Sequence, residues 1–271
     1  MLMQQKAITE KIIEHYNIIS PFYKNLWSEH IHHGYYATGK ESKKEATENL
    51  IKLIVEKSGL KNNSKVLDVG CGIGGTSVWL ANNMNCKVTG ITISPVQVTM
   101  ARKASAKIKN RPKFLAADAN NLGFLGKFDA IFAIETVSHY ADRENFFRNA
   151  ANMLNNGGCM IITDWFKAGK LKESEGIRQI EKGMLVSLQT KEEYFKYLKD
   201  NGLELEHYED ISQKVKRTWD DAIHITKINS LLQLALRQGR EFYSCVKAFQ
   251  SMKKEYESGS LRYVAIVAKK S

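Results

Sequence analysis

Long hydrophobic runs are missing from this 271-residue chain. Its longest apolar stretches, such as AIFAI at 130–134, have the length of a single strand. None approaches the roughly 20 apolar residues that a membrane-crossing helix needs. The opening residues MLMQQKAITEK lack the apolar centre of a secretory leader, so a cytoplasmic protein with no membrane partner is expected. Proline is scarce: Pro21, Pro95 and Pro112 are the full set. No Pro/Gly-rich linker, internal repeat or low-complexity tract divides the chain. Cysteine is scarce too. Cys71, Cys86, Cys159 and Cys245 are scattered without the close pairs of a zinc or redox motif, which implies reduced thiols. Acidic residues are outnumbered, leaving a net charge of +11. The basic residues nevertheless occur as singles and pairs, with no block and no aromatic-interleaved patch. That distribution reads as a solvated Lys-rich surface and not as a nucleic-acid footprint.

What is present is an alternation of strand and helix patterns. A helix is expected over 7–23, and a second over 42–57 with Leu50, Ile51, Ile54 and Val55 as its apolar stripe and Gly59 as its stop. KVLDVG then reads as a buried strand, followed by a glycine turn and a helix over 76–83. CKVTGIT is a second strand, and Ser94–Pro95 opens a helix reaching about Lys109. PKFLAAD and FDAIFAI are the third and fourth strands, with a helix over 143–154 after the fourth. Gly157–Gly158 reads as a turn before a fifth strand, CMIITDW. This order predicts an α/β fold: a Rossmann-like, doubly wound, mostly parallel sheet. Two late strands, LELEHY and LRYVAIVAK, predict an antiparallel edge hairpin. Residues 1–60 are expected to form an N-terminal helical lid segment. Residues 61–271 are expected to form the core, with helical cap insertions near 166–188 and 215–257.

The most specific motif is VLDVGCGIGG at 66–75. Gly70, Gly72 and Gly74 let the chain turn sharply and let a ligand approach the backbone. The next helix aims its free N–H groups at that ligand. Asp68, at the strand end, can order the loop and face a cationic group. Gly70, Gly72 and Gly75 also fit a dinucleotide fingerprint, which needs an acid about twenty residues on for the ribose. The second strand instead ends GITIS, with no acid. AADAN places Asp118 and Ala119 at the rim, where a carboxylate can accept from an adenine amine. AIETVSHY places Glu135 and His139 above the same crevice. The adjacent histidines 32 and 33, in the loop that also carries His30, are a poor metal clamp, so no metal is expected.

In this order and spacing the chain resembles the class I S-adenosylmethionine methyltransferases. The segments EHIHHGYY, VLDVGCGIGG, GITISPVQ and MKKEYESGSLRYVAIVAK narrow the resemblance. They are similar to the branch that holds tocopherol C-methyltransferases and sarcosine/dimethylglycine N-methyltransferases. The resemblance implies S-adenosylmethionine as cofactor and a small-molecule methyl acceptor. It implies that Thr92, Ser94 and Gln97 replace the ribose-binding acid, and that the EHIHHGYY loop crosses the methionine end. Tyr16, Phe22, Tyr23, Trp27, Tyr35 and Tyr36 would then exclude water and face the sulfonium. Relatives of the tocopherol and cyclopropane-synthase type carry Glu before the fourth-loop histidine; Ser138 stands there here, which argues against cyclopropanation.

Sulfonium methyl transfer is mainly a matter of alignment, and a base is needed only where the nucleophile must lose a proton. His139 is the candidate base, or alternatively pocket wall, with His33 and Tyr16 as further candidates. Trp165, Phe166, Trp219 and LLQLAL at 231–236 suggest an apolar acceptor pocket. The expected nucleophile is nitrogen or electron-rich carbon, with oxygen open.

Overall fold

The computed structural model describes residues 2–27, 29–169, 174–220 and 240–271. The LLQLAL run at 231–236 lies outside them, as do the side chains of Phe22, Tyr23 and Trp27.

Seven strands form one sheet in the order β3-β2-β1-β4-β5-β7-β6. They are β1 Lys65–Val69, β2 Lys87–Thr92, β3 Lys113–Ala116, β4 Phe128–Ile134, β5 Leu154–Lys167, β6 Leu203–Asp210 and β7 Leu261–Lys270. The first five run parallel, and β7 enters antiparallel between β5 and β6. The doubly wound sheet and its antiparallel edge are thus as expected. The strand order reverses between β1 and β4, so a crevice opens beyond the carboxyl ends of those strands.

Alternate residues of the central strands feed the two faces. Val66, Ala130, Phe132 and Ile161 join one core with Leu50, Ile54 and Leu80. Leu67, Val69, Ile131 and Ile162 join the other with Phe146, Phe147, Tyr194 and Leu198. Helices α1 Leu2–Trp27 and α2 Lys43–Ser58 precede the sheet. Helix α2 begins with a reciprocal cap, in which Ser42 Oγ accepts from Glu45 N at 3.3 Å and Glu45 Oε2 accepts from Ser42 N at 2.8 Å. Gly59 stops it in the left-handed conformation. Leu50, Ile51 and Ile54 of α2 are fully buried, so this helix is part of the sheet's packing. The crossovers are α3 Gly75–Met84, α4 Pro95–Ala104 and α5 Arg143–Met153. Later come α6 Glu175–Met184, α7 Lys191–Asp200, α8 Ser212–Val215 and α9 Arg240–Ser258. Helices α6 and α9 supply Ile180, Ala248, Phe249 and Met252 to the first core.

Several boundaries differ from expectation: helix α1 runs over Leu2–Trp27, past both ends of the expected 7–23. Helix α4 ends at Ala104, short of Lys109, where Ser105 caps it. Gly157–Gly158 lies inside the span of β5 and not before it: Gly157 turns there at φ 72°, and the register against β4 shifts between Phe128 and Ala130. The irregularity absorbs the extra residues as a bulge does. All four cysteines are free and buried. Among the described residues no helix is long and apolar enough to cross a membrane.

Candidate active site

Each parallel strand delivers polar groups to the rim. Strand β1 ends in the glycine loop, and Asp68 Oδ2 accepts from Ser77 Oγ of α3 at 2.6 Å. Asp68 is 2% exposed, and burial pushes its carboxyl up to about 7 despite the Ser77 bonds. Gly70 and Gly72 line the crevice, whereas Gly74 faces Ala101 and Phe114. Gly74 therefore belongs to the packing of α3 on α4 and β3. Gly75 allows a different approach. A Cβ there would lie 2.6 Å from His30 Nδ1, so the chain at 29–33 descends directly onto the start of α3.

At the end of β2, Thr92 Oγ1 donates to Gln97 Oε1 at 2.6 Å. Ser94 Oγ accepts from Gln97 N at 3.1 Å and donates to Asn17 Oδ1 of α1 at 2.6 Å. Gln97 Nε2 donates to Ser20 Oγ of α1 at 3.0 Å. Thr92 and Gln97 thus line the crevice, whereas Ser94, expected there from the sequence, is fully buried and outside its lining, and serves to cap α4 and dock α1. At the end of β3, Asp118 Oδ1 accepts from Asn120 N at 2.8 Å, and Ala119 is buried beside it. Asn120 was not singled out from the sequence. Its Oδ1 is buried without a partner among the described residues, and the residue lines the crevice.

The end of β4 carries Glu135, a non-glycine residue held at φ 50°. Its Oε1 accepts from His33 N at 2.6 Å, His33 Nδ1 at 2.9 Å and Tyr263 OH at 2.7 Å. Burial favours the neutral acid, but the His33 imidazole and its hydrogen bonds hold the Glu135 carboxyl below its ordinary value. His33 Nε2 lies 3.5 Å from Tyr256 OH. His139 follows in the next turn. Its Nδ1 donates to Leu185 O at 3.0 Å, since a carbonyl can only accept. Burial lowers the imidazole to about 4, so the ring is neutral and Nε2 accepts from Tyr16 OH at 2.9 Å.

Three cavities with shared walls fill the rim. The largest encloses about 860 Å³, part of it open to solvent. Gly70, Gly72, Thr92, Gln97, Asp118 and Ala119 line it, with Ile8, Thr9, Ile12 and Tyr16 of α1 across the top. The second, about 330 Å³, lies between the glycine loop with Asp68 and the loop residues His30 and His32. His30 Nδ1 and His32 Nε2 are buried there without partners among the described residues. Burial lowers His30 to about 3 and also lowers His32, so both rings are neutral. The third, about 450 Å³, is lined by Tyr16, Ile31, His33, Glu135, Trp165, Met184, Thr218, Trp219 and Phe249. Tyr16, Ile31 and Glu135 belong to both the first and the third cavity.

The donor set fits S-adenosylmethionine. Asn120 Oδ1 and Asp118 can receive an adenine amine. Asp68 and the unpartnered His30 and His32 nitrogens lie beyond the glycine loop, where an amino-acid end can be held. The aromatic expectation needs correction. Tyr16 reaches the crevice, but Tyr36 lies under Arg217, whose guanidinium is 4.9 Å from the ring centre. Neither Tyr35 nor Tyr36 is among the residues lining the three cavities. Among the described residues no group of three or more His, Cys, Asp or Glu could hold a metal. Met184 and Phe249, missed from the sequence, reach the third cavity through long-range packing that no local motif announces.

Fold and site define a class I S-adenosylmethionine-dependent methyltransferase. The chain belongs to the mycolic acid cyclopropane synthetase family, whose pattern matches residues 3–245. It is 31% identical to 27-O-demethylrifamycin SV methyltransferase of Amycolatopsis mediterranei, over 98% of each chain. It is 27% identical to the chloroplastic tocopherol O-methyltransferase of Arabidopsis thaliana, over 98% of this chain and 83% of that one. The solved mycolic acid cyclopropane synthase CmaA1, complexed with SAH and CTAB, shares the fold. Its TM-score is 0.86 at 19% identity, over 97% of this chain and 98% of that one.

Proposed function

We propose that the third cavity receives the methyl acceptor, a small and largely apolar metabolite, while the first and second hold the cofactor. The observation that carries this is the junction: the two spaces meet at Tyr16, Ile31 and Glu135. Bound S-adenosylmethionine supplies an electrophilic methyl group on a sulfonium. The chain's work is to align the nucleophile with it and to keep water out. Glu135 puts negative charge at the junction. Trp165, Trp219, Phe249 and Met184 give the acceptor an apolar wall. One relative bears the name of a tocopherol O-methyltransferase and another that of a methyltransferase for a 27-O-demethyl compound, which favours oxygen beside the nitrogen and carbon nucleophiles expected from the sequence. The test is transfer of labelled methyl to a panel of phenols, amines and prenylated metabolites. Cofactor binding with no transfer to any small molecule would point to a binding protein without catalysis.

His139 is read as the residue that fixes Tyr16, because its Nε2 is taken up by the Tyr16 hydroxyl. Tyr16→Phe and His139→Ala should each lower kcat by roughly tenfold, the scale of one buried hydrogen bond, and the double variant should lose little more. A loss of about 10²–10⁴ in His139→Ala, confined to acceptors that must shed a proton, would make the imidazole the base instead.

Helix α1 is read as the lid, hinged before α2. It holds Tyr16, Asn17 and Ser20 against the rim through the bonds to His139, Ser94 and Gln97. S-adenosylhomocysteine should therefore slow proteolysis within residues 2–27 at least several-fold. Equal cleavage with and without it would count against closure.

A further inference from the structure

Resting on the reading of the third cavity as the acceptor site, we infer that the acceptor presents a neutral hydroxyl, and that Glu135 Oε2 receives its hydrogen bond and its proton. The two carboxylate oxygens are not equivalent. Oε1 is saturated by His33 N, His33 Nδ1 and Tyr263 OH. Oε2 has no hydrogen-bond partner among the described residues. The side chain is 10% exposed, and the spaces it borders are the first and third cavities. Three donors thus fix the carboxylate from behind and leave one oxygen facing the junction.

The lining decides what that oxygen can meet. Among the described residues no Lys or Arg lines the third cavity, and Glu135 already places a carboxylate there, so a carboxylate or phosphate at the reacting end meets like charge in a low-dielectric space. An alkene offers no donor and would leave Oε2 desolvated and unpaired. An alkylamine would be held against the carboxylate as its ammonium, which has no lone pair to attack with. A hydroxyl meets every condition. It donates to Oε2, which orients an oxygen lone pair along the junction, and its carbon skeleton lies against Trp165, Trp219 and Phe249.

The proton balance follows. Methylation replaces the O–H bond by an O–C bond, and one proton is set free. That proton passes to Glu135 Oε2, converting the carboxylate to the acid, and leaves to solvent when the site opens. Glu135 is therefore a catalytic residue on this reading. His33 and Tyr263 are positioning residues, since they act through Oε1.

The probes are 2-naphthol, naphthalene and 2-naphthoate, titrated into the full-length protein saturated with S-adenosylhomocysteine and followed by tryptophan fluorescence and calorimetry. 2-Naphthol should bind about 10- to 100-fold more tightly than naphthalene, and 2-naphthoate more weakly than either. In Glu135→Gln the naphthol advantage should shrink and the naphthoate penalty should largely vanish. Equal affinity for 2-naphthol and naphthalene in the unaltered protein overturns the hydroxyl assignment and leaves the acceptor pocket standing. Failure of every probe to bind overturns the acceptor pocket itself. The comparison in the unaltered protein decides the matter even if Glu135→Gln does not fold.

Discussion

Gly72→Val should leave a folded protein that no longer binds its cofactor. Gly72 lines both the first and second cavities, and a Cβ built on it meets nothing within 4 Å. The added side chain therefore projects into the crevice and not into the core. Its φ of +53° makes any L side chain strained there, and a β-branched one more so. That strain costs about 1–2 kcal/mol of stability, well short of a domain's total. Binding suffers more, because the ligand must approach the backbone where the isopropyl group now stands. Calorimetry with S-adenosylhomocysteine should show a loss of at least about 100-fold, roughly 3 kcal/mol. Gly72→Ala carries similar strain with less intrusion and should fall between. Unchanged affinity in a folded Gly72→Val protein would remove the glycine loop from the cofactor site.

Asp68 should make both stability and binding depend on pH. Its carboxyl is raised from 3.8 to about 7 by burial. The folded protein therefore holds a proton that the unfolded chain has already lost between about pH 4 and 7. This group's contribution is complete at low pH and declines as pH rises through that interval, by up to roughly 4 kcal/mol at about 1.4 kcal/mol per pH unit. A bound cofactor brings an ammonium and a sulfonium to the rim, and positive charge favours the carboxylate. Binding at pH 6 should then expel nearly one proton. Titration with S-adenosylmethionine in two buffers of different ionisation enthalpy would count it. Asp68→Asn should release none, bind about 10- to 100-fold more weakly and lose the pH-dependent slope in stability. Buffer-independent heats in the unaltered protein would show that Asp68 does not change its charge on binding.

The sheet was legible because its signals are local. Short, almost continuously buried apolar runs in VLDV and FDAIFAI, the Ser94–Pro95 start and the left-handed Gly59 each declare an element within a few residues. The lining of the first two cavities was legible for the same reason, since glycines and acids at strand ends lie next to the turns that aim them. The acceptor side was less so. Trp165 was visible as the end of a strand, but Phe249 and Met184 come from helices that meet only in the folded core. The partnership of His33 with Glu135 spans 102 residues, and no spacing rule links them. Nor does the sequence show that the Tyr16 hydroxyl satisfies His139, because that contact depends on where α1 lies. The boundary between lid and core was blurred for a related reason. Helix α2 has the same amphipathic pattern as a surface cover, yet the stripe Leu50, Ile51 and Ile54 is wholly enclosed against the sheet.

Gln97 lines the first cavity and, together with Ser94, fastens α1 to the rim. If the first cavity holds the cofactor and α1 is its lid, as proposed, the bonds to Asn17 and Ser20 put the release of spent cofactor and the detachment of the helix under a common control. Turnover can then be tuned at two positions remote from the methyl group. A chain with Ala at Asn17 or Ser20 would let go of its product sooner and hold its substrate less long, while the reacting atoms kept their alignment. Selection for a faster or a more retentive catalyst has a place to act that leaves the chemistry untouched.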